Sequence, residues 1–531
     1  MIDQLAQQDI HIFTANGRRL AFNGNNYNVA LLDDAGASLL AQRAAGRPGD
    51  DAAPVAGDEI GRFLAPPAPL HSRQCDDGAT PEVRGSPDIL CLLVTSKCNL
   101  RCDYCFNSQG SYSFLPDQVM DEGTARNAID LLLSGCGDQP AVSFFGGEPT
   151  TEFPLIRRVV EYCETSTRGK TPVSFHMATN ATLVTRETAR FLKQHDFSLI
   201  VSLDGDGPAH DYHRKFPSGR GTFRAALKGV EAILDAYGSQ ERIVFRGTFT
   251  HQQKAFGDSF EQLVRRGFEH ISIEPATGTD EDAHAVRLSD VPSLAAEYSR
   301  LIDSYWSARA TRPNLSFFHI TGLAKDLAQC RQRNRPCGAA NGYMAVAPDG
   351  DIYPCHRIVH PHYRLGNVNE EARRRSLNAP LQREFHSATV ANRPACRACW
   401  ARYLCGGTCY ARNIDGGDDI LATHGTDCAL FRTRAELAIE LYVRTELSRC
   451  HRDFDAVLGA EHVKMFDPES LSPSGSGMAQ REGTCGKLCE IISCTSCQSS
   501  CTDSCTGSCT GSCTDNCTSS CTGGCTSIVM Y

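Results

Sequence analysis

The feature that most limits what this 531-residue chain can become is the distribution of its cysteines. There are 27, gathered in three groups around positions 98–105, 337–428 and 485–525. A reducing cytosol does not tolerate that many thiols unless they bind metal or take part in chemistry. A secreted disulfide scaffold is usually short and carries a signal peptide, whereas this chain is long and opens without a basic-then-apolar segment. No apolar run approaches the roughly 18 residues that span a bilayer. These features predict a cytoplasmic protein with no membrane attachment. The formal charge of −9 argues against nucleic acid as the main partner, because phosphate binding needs a basic surface.

Patterning divides the chain into six parts. Residues 1–45 read as a small α/β unit, with strands at 11–13, 19–22 and 29–32, followed by a helix that Asp34 caps. Residues 46–85, rich in Pro, Gly, Ala and Asp, read as a linker with one short helix around 60–64. From 86 to 310, strand-like runs at 89–95, 141–145, 174–178, 198–203, 243–248 and 270–274 alternate with helical patterns. Six such alternations predict a parallel sheet, open or bent into a partial barrel, with functional groups at the C-terminal ends of its strands. Residues 311–450 hold the second cysteine group, and their loop-rich stretch 330–430 predicts a domain ordered by metal more than by an apolar core. Residues 451–477 form a second linker. Residues 478–531 are low-complexity Cys, Thr, Ser and Gly, with almost nothing apolar to bury.

Directly after the strand at 89–95 comes Cys98-Asn-Leu-Arg-Cys102-Asp-Tyr-Cys105. Three thiolates on one tight loop can hold three irons of a [4Fe–4S] cube and leave the fourth iron open to a small chelating ligand. Taken alone, the spacing also suits a zinc site or buried thiols. Its context is the sequence Gly146-Gly147-Glu148-Pro149, which follows the second strand of the same unit. Together, and with Tyr104 just before the third cysteine, these motifs resemble those of the radical S-adenosylmethionine (SAM) superfamily. The resemblance implies a partial (β/α)6 barrel that binds SAM, with Gly146, Gly147 and Glu148 at the SAM amino group. It further implies that Asn180 and Ser202 face the ribose and methionine, and Arg214 the SAM carboxylate. The plain alternative for each of these three is loop capping or surface charge. The implied chemistry is reductive cleavage of SAM to a 5′-deoxyadenosyl radical that takes hydrogen from an unactivated carbon. Such chemistry needs an electron donor, such as flavodoxin or ferredoxin.

The second group comprises Cys337 and Cys355 around Gly350, then Cys396-x2-Cys399-x5-Cys405-x3-Cys409, then Cys428. Seven thiolates exceed any single zinc tetrahedron, so two interleaved sites account for them better than one. The spacing resembles the SPASM domain of peptide-modifying radical SAM enzymes. That resemblance implies two auxiliary [4Fe–4S] clusters, three in the whole chain. Cys396, Cys399, Cys405 and Cys428 would hold one; Cys337, Cys355 and Cys409 would hold the other, whose open iron takes a substrate thiolate or Cys330. In the sulfatase-maturing branch an Asp follows the second cysteine of this domain. Here that position is His356, the candidate catalytic residue, and Cys-His at this point resembles the maturases of small cysteine-rich SCIFF peptides (six cysteines in forty-five residues).

From Cys497 to Cys525 eight cysteines recur every fourth residue, most followed by Thr. This tail resembles the core of SCIFF-type precursors, and residues 11–40 resemble the winged-helix-like element that docks leader peptides by strand addition. The combined expectation is a ranthipeptide-type maturase that forms thioether links between cysteine sulfur and a carbon of an acceptor, plausibly Thr, in a Cys-rich peptide, its own tail or one in trans. The alternatives are another SPASM-type modification of a substrate in trans, or an iron–sulfur electron carrier whose tail binds metal. Cys75, Cys91, Cys136, Cys163 and Cys450 fit no motif and are expected to be small buried hydrophobes.

Overall fold

The computed structural model describes residues 9–45, 59–65, 83, 85–135, 139–168, 171–279, 281–370, 377–417, 419–449 and 463–466. The expected tail at 478–531, most of both linkers, and Cys75, Cys136 and Cys450 lie outside the described residues.

In the N-terminal unit the strands are β1 (Ile10–Ala15), β2 (Arg18–Asn23) and β3 (Val29–Leu32), followed by a helix over Asp34–Ala45 and a short one over Glu59–Leu64. The main sheet begins with β4 (Ile89–Leu93), β5 (Ala141–Phe145), β6 (Ser174–Thr179), β7 (Ser198–Ser202), β8 (Ile243–Phe249) and β9 (His270–Pro275). It continues with β10 (Ser316–Phe317), β11 (Tyr343–Val346), β12 (Asp351–Tyr353) and β13 (Gly366–Asn367), and the last strand, β14 (Val463–Phe466), returns to the N-terminal unit.

β4 to β9 pair in chain order, all parallel. Right-handed crossovers with no reversal of strand order put the helices on one face and curl the sheet, so the partial barrel follows from the connectivity. The helices have local causes. Asp121 and Thr185 accept backbone N–H bonds that start Glu122–Leu133 and Arg186–Gln194. Phe153–Ser166 buries Leu155, Ile156, Val159, Val160 and Cys163 along one stripe. Cys91 and Cys163 are both buried, as expected of small hydrophobes.

Two features differ from the sequence expectation. The sheet does not stop at residue 310: β10 adds to β9, and β11 adds in parallel to β4 on the other side, followed by antiparallel β12 and β13. The stretch 330–430 also buries apolar side chains, including Tyr353, Phe385, Trp400, Leu404 and Tyr410, in one core shared with the barrel. Apolar packing therefore contributes to the order of that stretch alongside its cysteines.

Period-two alternation lets the N-terminal sheet serve two cores. Leu20, Phe22, Val29 and Leu31 join the main core, while Ala21, Ala30 and Leu32 pack with Leu40 and Phe63 in a smaller one. The unit is fastened to the region after 330. His11 stacks on Trp400 at 4.0 Å and bonds Glu436 at 2.7 Å, Arg402 pairs with Asp9, and a Cβ on Gly24 would come 2.2 Å from the Trp400 carbonyl oxygen. Among the described residues no helix is long and apolar enough to cross a membrane.

Candidate active site at the strand C-termini

Parallel strands bring all their C-terminal ends to one rim, and the predicted site residues of the barrel lie there. The loop after β4 carries Cys98, Cys102 and Cys105, three half-buried thiols close enough to act on one another electrostatically. Backbone amides point at two of the sulfurs, from Leu100 to Cys98 Sγ at 3.4 Å and from Gln109 to Cys105 Sγ at 3.2 Å. Burial pushes the Cys98 thiol up to about 12 and Cys102 to about 11, with Arg214 pulling the latter back. Iron binding there would displace protons, as expected of a thiolate site.

The Gly146–Gly147 turn after β5 lies against this loop. Gly147 N donates to Thr95 O and Glu148 N to Lys97 O, both at 2.9 Å. A Cβ on Gly146, whose φ is +133°, would sit 2.4 Å from Thr95 O, and one on Gly147 would sit 2.0 Å from Lys97 O. The glycines thus serve close packing of the two rim loops as well as any ligand. Asn107, two residues past Cys105, ties the loops again by donating to Gly146 O at 3.0 Å.

Glu148 is buried, and much of its carboxylate is committed. Oε1 accepts from Thr150 N (3.2 Å), Thr150 Oγ1 (2.6 Å) and Thr179 Oγ1 (2.7 Å), and Oε2 accepts from Asn180 N (2.8 Å). Burial raises its affinity for a proton against the pull of those donors. The Asn180 side chain donates to Asn99 of the cluster loop at 2.9 Å and accepts from Thr182. Ser202 is half-buried at the end of β7.

Sequence reasoning gave no role to Asp204, which sits at the centre of the rim. Arg214 Nε donates to its Oδ1 at 3.1 Å, the Tyr104 hydroxyl donates to its Oδ2, and Thr248 N donates to Oδ1 at 3.2 Å. The Arg214 guanidinium lies 5.6 Å from the Tyr104 ring centroid. Burial works against its charge, but Asp204 and Tyr104 outweigh burial and hold the proton. The signal available was the Leu203-Asp204-Gly205 strand end, which places a carboxylate at a sharp turn.

The seven cysteines after residue 330 fall into two groups by proximity. Cys337, Cys355 and Cys409 act on one another, and Cys396, Cys399, Cys405 and Cys428 form the second set. Burial pushes Cys355 up to about 12 and Cys396 to about 11. Among the described residues no cysteine forms a disulfide. Among the described residues no three His, Cys, Asp or Glu side chains converge tightly enough for a single metal ion. Cubane ligands bind separate irons and need not converge on one point, so three- and four-thiol groups can hold such clusters. Cys330 stands just past the helix Phe318–Ala328, at a φ of 48°.

His356 lies where the two regions meet. The Tyr112 hydroxyl, from the loop that follows Cys105, donates to its carbonyl at 2.6 Å, and its Nδ1 is 2.7 Å from the Tyr343 hydroxyl. Its ring is 4.7 Å from that of Phe145 and 6.3 Å from that of Phe106. Burial, reinforced by Arg357 and Arg246, pushes it down to about 3, so the imidazole is neutral. Arg357 crosses Phe106 at 5.1 Å and donates to Thr277 at 2.9 Å. Deeper on the same rim, Glu274 bonds His319 at 2.6 Å and approaches Arg246 at 3.9 Å.

Comparison with known proteins agrees with this geometry. Residues 92–253 match the radical SAM superfamily, and residues 337–400 match the SPASM iron-sulfur cluster-binding domain. The serine-type anaerobic sulfatase-maturating enzyme of Klebsiella aerogenes is 24% identical over 67% of this chain and 87% of its own length. The radical SAM cyclopropyl synthase TigE of Paramaledivibacter caminithermalis is 22% identical over 50% of this chain and 56% of its own. Native anSMEcpe with bound AdoMet and the Kp18Cys peptide has the same fold, with a TM-score of 0.59 at 20% identity over 68% of this chain and 99% of that one. The chain is a radical SAM enzyme with a SPASM domain, a binder of SAM, a [4Fe–4S] cluster and auxiliary iron–sulfur clusters.

Proposed function

We propose that this enzyme installs thioether links between cysteine sulfur and a carbon of an acceptor residue such as Thr in a Cys-rich peptide, and that this peptide is its own tail, residues 478–531. The observation that carries the reading is the three-thiol group of Cys337, Cys355 and Cys409. It sits beside a rim loop that Tyr112 ties to the SAM-cluster loop, in a chain whose tail offers a thiol every fourth residue. Three protein thiolates leave a cube with one position for a substrate sulfur.

Cys98, Cys102 and Cys105 are the residues to hold the SAM-cleaving cluster. Cys396, Cys399, Cys405 and Cys428 are those to hold the second auxiliary cluster. When bound, SAM and the clusters supply a 5′-deoxyadenosyl radical for hydrogen abstraction and a sink for the one electron released as each link forms. The chain's own contribution is placement. Gly146, Gly147, Glu148, Asn180, Ser202 and Arg214 would surround the SAM site, with Tyr104 beside the cluster loop, while Phe145 and His356 would keep water from the reacting carbon. His356 is the candidate catalytic residue, positioned to orient the acceptor. A flavodoxin- or ferredoxin-type protein is the proposed electron donor.

A second reading is side-chain oxidation of a protein in trans, favoured by the sulfatase-maturating relative. His356, in place of the Asp of that branch, speaks for the first reading. Tandem mass spectrometry of the tail after anaerobic reconstitution with SAM and a reductant separates the two. Thioether formation removes the mass of two hydrogen atoms per link and protects those cysteines from alkylation under reducing conditions. An unchanged tail with 5′-deoxyadenosine release would sink the tail as substrate.

A further inference from the structure

The N-terminal sheet runs in the order β1-β2-β3-β14. Its β1 side lies against the helix Gly425–Arg449 and Trp400. Its other side, β3, is covered by four residues that arrive from the far end of the fold: Val463 pairs with Leu32, Lys464 with Leu31, Met465 with Ala30 and Phe466 with Val29, all antiparallel. The Met465 N–H turns away to Glu59 Oε2 at 3.1 Å. The alternation of an antiparallel ladder then aims the amides of Lys464 and Phe466 at β3. Val463 and Met465 complete the small core of Ala21, Ala30, Leu32, Leu40 and Phe63, while Phe466 packs on the other face and Lys464 pairs with Glu59 at 3.4 Å. The Val463 side is deeply covered, with 2% of that residue exposed. Without this strand, β3 would present unpaired backbone groups and an open apolar notch, a template for any extended peptide.

We infer that residues 463–466 are a built-in docking strand: they occupy a peptide-binding edge on β3 and anchor the cysteine-rich segment that begins at Met478. This inference rests on the reading of that segment as substrate. The first tail thiol, Cys485, is nineteen positions past Phe466. At about 3.5 Å per residue the intervening chain extends to roughly 65 Å. A compact body of some 400 residues is about 55 Å across, so the anchor puts every tail cysteine within range of the rim and sets a high local concentration there. A strand of four residues with one fully buried side chain opens far more easily than the global fold. A peptide of like alternation added in trans competes for the edge only when the strand is released.

The test uses the full-length protein and a full-length Lys464→Pro/Phe466→Pro variant, which lacks the two ladder amides. The probe is a fluorescent synthetic peptide of residues 459–477. In the unaltered protein, the amides of Lys464 and Phe466 should exchange about a hundredfold more slowly than in the free peptide, and the probe should not bind. The variant should bind the probe and modify its own tail about two- to threefold less, because release lengthens the tether to Cys485 from nineteen positions past Phe466 to thirty-six past Arg449, while still cleaving SAM. Free-peptide exchange rates in the unaltered protein, or equal probe binding by both proteins, would overturn the docking strand. Equal tail modification in both proteins would also overturn it and would leave the tail as substrate. Probe binding by the variant alone, with neither tail modified, would uphold the docking edge and remove the substrate reading instead.

Discussion

The Tyr112 hydroxyl donates to the His356 carbonyl oxygen at 2.6 Å, joining the loop of the SAM-cleaving cluster to the loop that carries Cys355. Tyr112 is also hydrogen-bonded through its backbone to Asn107, whose side chain accepts from Cys105 Sγ at 2.8 Å. The two loops are thus held in register by one half-buried phenol. Tyr112→Phe keeps the ring and removes the bond, leaving a buried carbonyl unpaired at a cost of about 1–3 kcal/mol. SAM cleavage should persist while tail modification falls, so the ratio of 5′-deoxyadenosine to modified peptide rises several-fold. An unchanged ratio would show that the two loops do not need this tie.

His210 makes the rim sensitive to acid. Asp204 N donates to its Nδ1 at 3.4 Å, its Nε2 is 3.0 Å from Thr222 Oγ1, and that hydroxyl donates to the Arg214 carbonyl at 3.0 Å. The ring is therefore neutral, and burial pushes it down to about 4. Between its ordinary value near 6.5 and 4, the unfolded chain binds a proton that the folded chain refuses. Stability falls as the pH drops through that window, by up to about 3 kcal/mol. Protonation of the folded ring would also break the acceptor bond that locates Asp204 and Arg214, so SAM affinity should hold through that window and fall only as the pH approaches 4. Urea unfolding between pH 7 and 4 is the measurement, with His210→Asn expected to flatten the slope. Parallel slopes for the two proteins would rule His210 out as the source.

Asp204→Asn preserves shape but leaves Arg214 as a buried cation without its carboxylate, and loss of one partner from such a pair costs about 3–5 kcal/mol. The substitution should lower the melting temperature and weaken SAM binding together. Ser202→Ala, at the half-buried end of β7, should weaken SAM binding with little change in melting temperature. Thermal scans with equilibrium dialysis of SAM separate the two cases, and equal melting losses would contradict the assignment of Asp204 as the buried counter-charge.

What could be read from the sequence followed the strength of the local signal. The strand at Ala141–Phe145 was predicted to the residue, and the other five barrel strands to within two residues at each end, because each is an apolar run bounded by turn residues. The cysteine spacing carried both auxiliary groups. β11, β12 and β13 were missed because strands of four, three and two residues have too little periodicity to register. β14 was missed for the same reason, and its partner β3 is more than 400 positions away. The role of Asp204 depends on three donors from Tyr104, Arg214 and Thr248, which only the barrel brings together. The expectation of a metal-ordered region after 330 underestimated its core, because Phe385, Leu404 and Tyr410 are spread over separate short helices and Trp400 sits in the turn between two of them.

The count of thiols around the first auxiliary site decides whether a substrate sulfur has a place to bind. Cys337, Cys355 and Cys409 act on one another, and Cys330, just past the end of Phe318–Ala328, is the candidate fourth ligand from the chain itself. If the site has three protein ligands, Cys330→Ser should retain the full iron and sulfide content of the unaltered enzyme. Cys409→Ser should lose about one cube's worth of iron, because a site cut to two thiolates does not hold a cluster. Electron paramagnetic resonance of the reduced proteins should then show one signal missing only in the Cys409 variant. Addition of a short Cys-containing tail peptide should perturb a cluster signal in the unaltered enzyme and in the Cys330 variant alike. Equal iron loss in both variants would make Cys330 a fourth ligand, close the site to substrate thiolate, and shift the proposed chemistry towards oxidation or carbon–carbon bond formation.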